Sequence, residues 1–499
     1  MPQASDASRR GGSSVKNLTL AAEVKAKPAT HAVVTETLKH LPLLRLLVAD
    51  AGLLQPEAAP PPPKRARRSK EAAAAEEMRQ PPTADAHTLV LVFELLFGGG
   101  LRSDDDASAR VVEHEAALRS ALARRLASAG ASSPTELLDA RVTSASASLS
   151  RRPRWVRANT LLCTAEAAAS ELSSFSPIRH PFLPDLLRLP PGSRLHAHPA
   201  VVAGRVVLQG LGSSLAAHAL APRPGTRVVD ACAAPGNKTT HLAALMRGRG
   251  VLTAFDADAG RSRTLAAALR LTHAASIASC VVADFLRTDT SLSGVLGQAH
   301  AVLLDPSCSG SGTSLSRGDA LLPSASEQSV DTARLGSLCR FQAAALRHAL
   351  RAASASRVAY STCSVHVVEN EGVVASVMTE SGAADGWRLE QALPQWHRRG
   401  VASPDGLSEA DAAKCIRVDP LLDEADGFFL ALFVRDVPAN VQSAADAAYE
   451  ASIAPAVRAA ASGRRAQEKA AARRARPVRW AGGAGGQSKG GKRGRPLFV

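Results

Sequence analysis

From Thr226 onward, apolar and polar positions alternate in a regular rhythm. Short apolar runs at Arg227–Asp230, Val251–Phe255, Ile277–Ala283, Ala301–Asp305, Arg357–Ser361 and Phe428–Val434 predict strands. Stretches with helical spacing fill most of the gaps, at Thr239–Met246, Arg261–Leu271, Asp331–Ala353 and Val367–Thr379. Strands alternating with helices predict βαβ units and a doubly wound, mostly parallel α/β sheet. Ligands of such sheets sit at the carboxyl ends of the strands. Upstream the rhythm is helical. His31–Leu54 is Leu-rich and periodic, predicting one or two helices, and Ala86–Phe97 and Val111–Ala129 predict more. The pattern thus divides the chain into a polar leader at 1–30, a helical domain at 31–145, a subdomain at 151–222, an α/β domain at 223–437 and a tail at 438–499.

Charge adds a partner to this outline. The net charge is +15. Residues 440–499 carry twelve Lys or Arg against three acids, a net +9, so more than half the excess lies in a tail expected to be disordered. Such tails contact phosphates without reading sequence. Pro60–Pro63 followed by Lys64-Arg65-Ala66-Arg67-Arg68-Ser69-Lys70 forms a stiff basic break within a linker at 56–80. It reads equally as a nuclear import signal, an RNA-touching loop or a solvated charge run. Arg151, Arg152, Arg154 and Arg157 surround Trp155, a composition suited to RNA; a strand with a buried Trp155 accounts for the ring as well. Seven cysteines without a CxxC pair or zinc-like spacing argue against a disulfide framework or a structural metal site. No apolar run reaches the roughly 18 residues of a membrane span.

The strand ends carry the chemistry. The first ends Asp230-Ala231-Cys232-Ala233-Ala234-Pro235-Gly236-Asn237-Lys238-Thr239, a small-residue turn into a helix. It is neither a Walker loop nor GxGxxG. The second ends at Asp256, 26 residues after Asp230 and placed for ribose hydroxyls; the third ends at Asp284, suited to an adenine edge. Any one acid could cap a helix. Three at successive strand ends describe a nucleoside cofactor, and a short loop with no phosphate cradle favours S-adenosylmethionine over a dinucleotide. The fourth strand ends Asp305-Pro306-Ser307-Cys308, and the fifth ends Ser361-Thr362-Cys363-Ser364, followed by a helix-like stretch with Glu369 and Glu371 in an acidic first turn. Taken alone, Cys363 is more readily a buried filler than a nucleophile. Two cysteines and a carboxylate on adjacent strand ends instead suit attack on carbon 6 of a pyrimidine, which turns carbon 5 into a nucleophile toward a methyl sulfonium. This chemistry alone does not rank Cys308 against Cys363.

Asp230–Thr239, Asp305–Gly312 and Tyr360–Glu371 resemble the motifs of the NSUN (Nop/Sun, RsmB-like) RNA cytosine-C5 methyltransferases. The Asp-Pro-Ser-Cys-Ser-Gly-Ser-Gly form at 305–312 is similar to the branch acting on large-subunit ribosomal RNA. Pro153–Arg157, Leu208-Gln209, Phe341-Gln342, Gly427-Phe428-Phe429 and the stretch His31–Leu54 extend the likeness over roughly residues 31–437. The resemblance implies a Rossmann-like methyltransferase domain whose last strand is antiparallel. It implies Cys363 as nucleophile, Cys308 as the cysteine of release, Asp305 as catalytic acid and Lys238 near the target base. Cys232, Ala233, Ala234, Pro235, Gly236, Asn237, Lys238, Asp256, Arg261, Asp284 and Asp305 would form the cofactor shell, and Arg151, Arg152, Arg154 and Arg157 an RNA surface. The expected partner is ribosomal RNA, with no DNA, membrane or metal, for a monomer of the nucleolus or of an organellar ribosome. The same chemistry on transfer RNA and a non-catalytic assembly factor stay open. The chain departs from the family pattern after Gln209, where Gly210-Leu211-Gly212 replaces the usual Asp, and in the short span Thr160–Leu183.

Overall fold

The computed structural model describes Thr19 and residues 26–53, 85–101, 105–314, 332–380, 384–404 and 406–452. Most of the expected leader, the linker at 56–80 and the tail from 453 lie outside these residues.

The helical domain forms where the periodicity predicts it. Helix α1 (Lys27–Asp50) is a single helix that runs through Pro42. It packs on α2 (Ala86–Leu96) and α4 (Glu115–Ala129), with α3 (Asp106–Glu113) between the latter two in sequence. Leu44, Leu47, Val48, Val92, Val111 and Leu118 form its buried core. Asp85 and Asp105 cap α2 and α3, accepting from the backbone N–H of Thr88 (2.7 Å) and Ser108 (2.8 Å). No described helix is long and apolar enough to cross a membrane.

Helix α5 (Ala140–Arg151) leads into a four-stranded antiparallel sheet. Its strands are β1 (Arg154–Ala158), β2 (Ile178–Arg179), β3 (Leu186–Leu189) and β4 (Val206–Val207), ordered β2-β3-β1-β4. Helix α6 (Ala165–Glu171) lies against β1. Helix α7 (Leu211–Leu220) is apolar on nearly every side and packs on the large sheet. The small subdomain therefore ends before Leu211, not at the expected 222.

The large sheet is built from β5 (Arg227–Asp230), β6 (Val251–Asp256), β7 (Ala278–Val282), β8 (Ala301–Leu304), β9 (Arg357–Thr362), β10 (Arg388–Glu390), β11 (Ile416–Val418) and β12 (Phe428–Val434). The order is β10-β12-β9-β8-β5-β6-β7, with β11 beside β12. Strands β5 to β9 are mutually parallel, and β12 runs antiparallel to β9. Chain order reverses between β5 and β8, so a crevice opens at their carboxyl ends. Helices α8 (Asn237–Leu245), α9 (Ala259–Leu271), α10 (Thr332–Leu350) and α11 (Glu371–Thr379) pack around the sheet with α7. Burial on both faces explains why β8 and β12 read as unbroken apolar runs.

The tail expectation changes at its start. Residues 439–452 are helical. This helix docks by the amino ends of β5 and β8. Arg227 pairs with Asp446 at 2.8 Å and lies over the Tyr449 ring, and Gln442 hydrogen-bonds His300 at 2.8 Å. Ala445 is fully buried.

Candidate active site

The turn after β5 is held open by backbone bonds. Ala231 N–H donates to Leu303 O (2.9 Å), and Ala233 N–H to Phe255 O (2.8 Å). Gly236 has φ +109, a backbone conformation that favours glycine, and a Cβ there would press on the tip of Leu265 at 2.9 Å. Asp230 is fully buried. Its Oδ2 accepts from Thr239 Oγ1 (2.7 Å), while Oδ1 has no partner among the described residues. Burial, aided by the nearby Asp305 and Asp256 charges, raises its carboxyl to about 7 against the Thr239 bond. Asp256 accepts from the N–H of Ala234 (3.1 Å) and of Asp258 (3.0 Å), one per oxygen. Arg261 donates to Ala234 O at 2.6 Å and latches the turn to α9. Burial also pushes the Cys232 thiol upward. Asp284 is half exposed and caps the short turn Phe285–Arg287 through Leu286 N–H.

Next to this turn, the ends of β8 and β9 bring the reactive groups together. Cys308 Sγ and Cys363 Sγ are 3.1 Å apart. The hydrogen bond with Cys363, then burial, holds the Cys308 thiol well above the usual range. Asp305 accepts from Lys238 Nζ (2.6 Å) on one oxygen and from Ser361 Oγ (2.7 Å) on the other. Burial opposes the charge on Lys238, but Asp305 outweighs it and holds the ammonium above the ordinary lysine value. Lys238 Nζ also lies 5.5 Å from the Phe428 ring centre. Gly312 N–H donates to Cys363 O (2.9 Å), and a Cβ on Gly312 would fall 2.3 Å from Gly427 O. The close approach of the Cys308 loop to the start of β12 thus depends on glycine.

Sequence reasoning missed what lies beneath this pair. Glu369 and Glu371 are not a solvated acidic turn; both are buried completely. Glu371 binds Arg417 (2.5 and 2.7 Å) and the N–H of Val401 (2.9 Å). Glu369 accepts from Ser309 N–H, Ser309 Oγ, Ser364 Oγ and Gln342 Nε2, at 2.5 to 2.9 Å. The signal available was a pair of acids set among the valines Val367, Val368, Val373 and Val374.

The expected RNA surface is only partly on the surface. Arg157 is fully buried; its Nε donates to Gln209 Oε1 (2.8 Å) and its Nη2 to Thr240 Oγ1 (3.1 Å). Burial lowers its guanidinium to about 10. Arg152 pairs with Asp426 (3.0 Å) and donates to Pro420 O. Both side chains join the small subdomain to the α/β domain, so neither projects to meet RNA. Arg151 is exposed and Arg154 is half-buried. Trp155 is half-buried and donates to Glu424 O.

From Gln209 the buried chain of hydrogen bonds continues to His241 Nδ1 (3.0 Å), from His241 Nε2 to Asp185 (2.8 Å), and to Asp185 from His218 (2.7 Å). Asp185, His218 and His241 have metal-like spacing. Here the two imidazoles donate to opposite oxygens of one carboxylate, and Arg157 stands in the same network, so protons account for the cluster without an ion.

Comparison with known proteins carries the geometry to a family. A family model described as 16S rRNA methyltransferase RsmB/F matches residues 217–434, and the N-terminal domain of NOL1/NOP2/Sun domain family member 5 matches residues 29–138. The chain is 39% identical over 434 residues to the 25S rRNA (cytosine-C(5))-methyltransferase NSUN5 of Arabidopsis thaliana, covering 86% of this chain and 70% of that one. It is 36% identical over 451 residues to a 28S rRNA (cytosine-C(5))-methyltransferase of Mus musculus, covering 86% and 88%. The crystal structure of PH0851 shares the fold, with TM-score 0.56 and 20% identity over 84% of this chain and 97% of that one. The chain belongs to the RsmB/F family and is an S-adenosylmethionine-dependent RNA cytosine-C5 methyltransferase.

Proposed function

We propose that this protein methylates carbon 5 of a cytosine in large-subunit ribosomal RNA through a covalent Cys363–RNA intermediate. The observation that carries the reading is the pair of thiols 3.1 Å apart at neighbouring strand ends, beside the Lys238–Asp305 pair. The printed activities of the two relatives above, 25S and 28S rRNA cytosine-C5 methylation, supply the substrate class.

The residues around the β5 turn fit the cofactor. The unpartnered Asp230 Oδ1 is a buried acceptor in need of a donor, and Ala233, Ala234, Pro235 and Gly236 leave the backbone approachable. Cys232, Asn237, Lys238, Asp256, Arg261, Asp284 and Asp305 complete the proposed shell. S-adenosylmethionine, when bound, supplies the electrophilic methyl group. Cys363 attacks carbon 6 as thiolate, forming the S–C6 bond and moving electron density to carbon 5. Asp305, oriented by Lys238 and Ser361, faces ring nitrogen 3 as the catalytic acid: it donates a proton there as negative charge develops and takes it back when the thiolate leaves. After carbon 5 has taken the methyl group, a base removes its proton. The S–C6 bond then breaks, Cys363 leaves as thiolate, and Cys308 assists this release.

Arg151 and Arg154 remain the proposed phosphate contacts on the small subdomain. The ribosomal substrate and the basic tail favour work in the nucleolus, and the protein is proposed to act as a monomer. Bisulfite sequencing of ribosomal RNA from cells lacking the protein tests the substrate. The expected result is loss of one 5-methylcytosine in large-subunit RNA, restored by the wild-type chain. Unchanged large-subunit methylation would refute the assignment.

A further inference from the structure

Glu369 is a charged group inside the protein, where an unpaired carboxylate is strongly unfavourable. Here every lone pair has a use. Oε1 accepts from Ser309 N–H (2.8 Å) and Gln342 Nε2 (2.9 Å); Oε2 accepts from Ser309 Oγ (2.5 Å) and Ser364 Oγ (2.6 Å). Burial alone would raise its pKa, but these donors outweigh that and lower it, so the group stays ionised. Ser309 follows Cys308, and Ser364 follows Cys363. One carboxylate therefore ties together the two loops that carry the thiols. Its own backbone is pinned by Tyr360 OH donating to Glu369 O at 2.6 Å.

The two loops do not depend on it equally. The Cys363 loop has further anchors. Ser364 N–H donates to Thr362 Oγ1 (3.2 Å), Thr362 Oγ1 donates to Asn370 Oδ1 (2.5 Å), and Asn370 Nδ2 donates to Ser364 O (3.0 Å). Gly312 N–H holds the Cys363 carbonyl itself. The Cys308 loop shares the Gly312 bond and is tied again where Val365 N–H donates to Ser311 Oγ (3.0 Å), but beside the thiol itself its bonds gather on Gln342 and Glu369. Ser309 binds it directly, and the Ser307 carbonyl accepts from Gln342 Nε2 (3.0 Å), the same amide nitrogen that donates to Glu369.

We propose that Glu369 is a positioning residue that fixes Cys308 against Cys363, and that its loss impairs release of the methylated base more than attack on it. The proposal rests on the cysteine roles given above. A displaced reacting group loses rate without losing substrate affinity, and a shift of about 1 Å can lower a rate roughly 100-fold.

The test uses the full chain, tritiated S-adenosylmethionine and large-subunit ribosomal RNA from cells lacking the protein. Steady-state methylation is followed together with denaturing gels for protein–RNA adduct. Glu369→Gln keeps the volume and removes the charge. Expected are a kcat lowered roughly 10- to 100-fold, a KM for RNA within about twofold of wild type, and accumulation of adduct with both cysteines present. A raised KM at unchanged kcat, wild-type turnover without adduct, or loss of both methylation and adduct in a folded protein would each overturn the proposal. If Glu369→Gln does not fold, Ser309→Ala decides. It removes one of the four bonds and should give the same pattern with kcat lowered about fivefold; wild-type behaviour overturns the proposal. Cys308→Ala run alongside separates the two readings. No adduct from Cys308→Ala would remove the cysteine roles themselves, whereas adduct from Cys308→Ala but not from Glu369→Gln would remove the clamp alone.

Discussion

The large sheet and the small sheet use their charged residues differently. At the carboxyl ends of β5, β6, β8 and β9, Asp230, Asp256, Asp305 and Cys363 converge on one crevice beside Lys238 and Cys308. On β1, Arg157, one of the four arginines expected at an RNA surface, lies fully buried and bonds to Gln209 and Thr240. The difference follows from what fixes each side chain. A residue at a strand end is placed by topology, because the parallel crossovers put every such end on one side. A residue within a strand is placed by which face is covered, and β1 is covered on both. Polar side chains inside a domain then need partners, and Arg157 finds them on the neighbouring domain. Arg157, bonded to Thr240, and Asp185, bonded to His241, attach the small subdomain to α8, the helix that carries Lys238.

This contrast predicts effects of different kinds. Lys238→Met and Asp305→Asn should lower single-turnover methyl transfer on the order of 10²- to 10³-fold, as expected for groups facing developing charge. Thermal unfolding of both should stay near wild type; a large loss of stability with intact chemistry would reverse the roles of the two regions. Arg157→Ala should do the opposite. Loss of its bonds and of buried volume should lower stability by about 2–4 kcal/mol, read from denaturant unfolding. The salt dependence of RNA binding should be unchanged, and a weaker dependence would return Arg157 to the RNA surface.

The network behind Arg157 gives a pH signature. Burial, then the Arg157 charge, lowers the His241 imidazole from its ordinary 6.5 to about 3, so the folded protein resists a proton that the unfolded chain accepts. Asp185 is shifted in the same sense: burial alone would raise it, but its bonds to His218 and His241 hold it well below the carboxylate range. Its contribution is present above the unfolded value and is lost as pH falls. Both groups therefore reduce stability on acidification, His241 between about 6.5 and 3. Melting temperature against pH should fall more steeply for wild type than for His241→Gln across this window. Equal slopes would contradict the linkage. The smallest effect belongs to Arg151→Ala. Stability should stay within about 0.5 kcal/mol, while the slope of log affinity for RNA against log salt should drop by about one.

The legible parts of this molecule were those with a periodic or topological cause. The alternation from Thr226 marked every parallel strand of the large sheet, and the ends of β8 and β9 named the residues that the structure sets side by side, whereas Asp284 at the end of β7 caps the turn Phe285–Arg287. The tail helix at 439–452 was hidden by the surrounding charge, since its docking rests on Arg227 and His300, far away in sequence. Glu369 was hidden for a related reason. An acid at the start of a helix is usually a solvated end residue. Nothing local says that Ser309, Gln342 and Ser364 surround this one. The direction of Arg157 required knowing that α8 covers that face of β1.

The order of action of the two thiols is read most directly from a denaturing gel of purified Cys363→Ala and Cys308→Ala proteins incubated with S-adenosylmethionine and unmethylated large-subunit ribosomal RNA. Cys308→Ala should accumulate a covalent protein–RNA adduct, and Cys363→Ala should form none and transfer no methyl group. Methylation by Cys363→Ala, or an adduct that forms through Cys308 in its absence, would contradict the account.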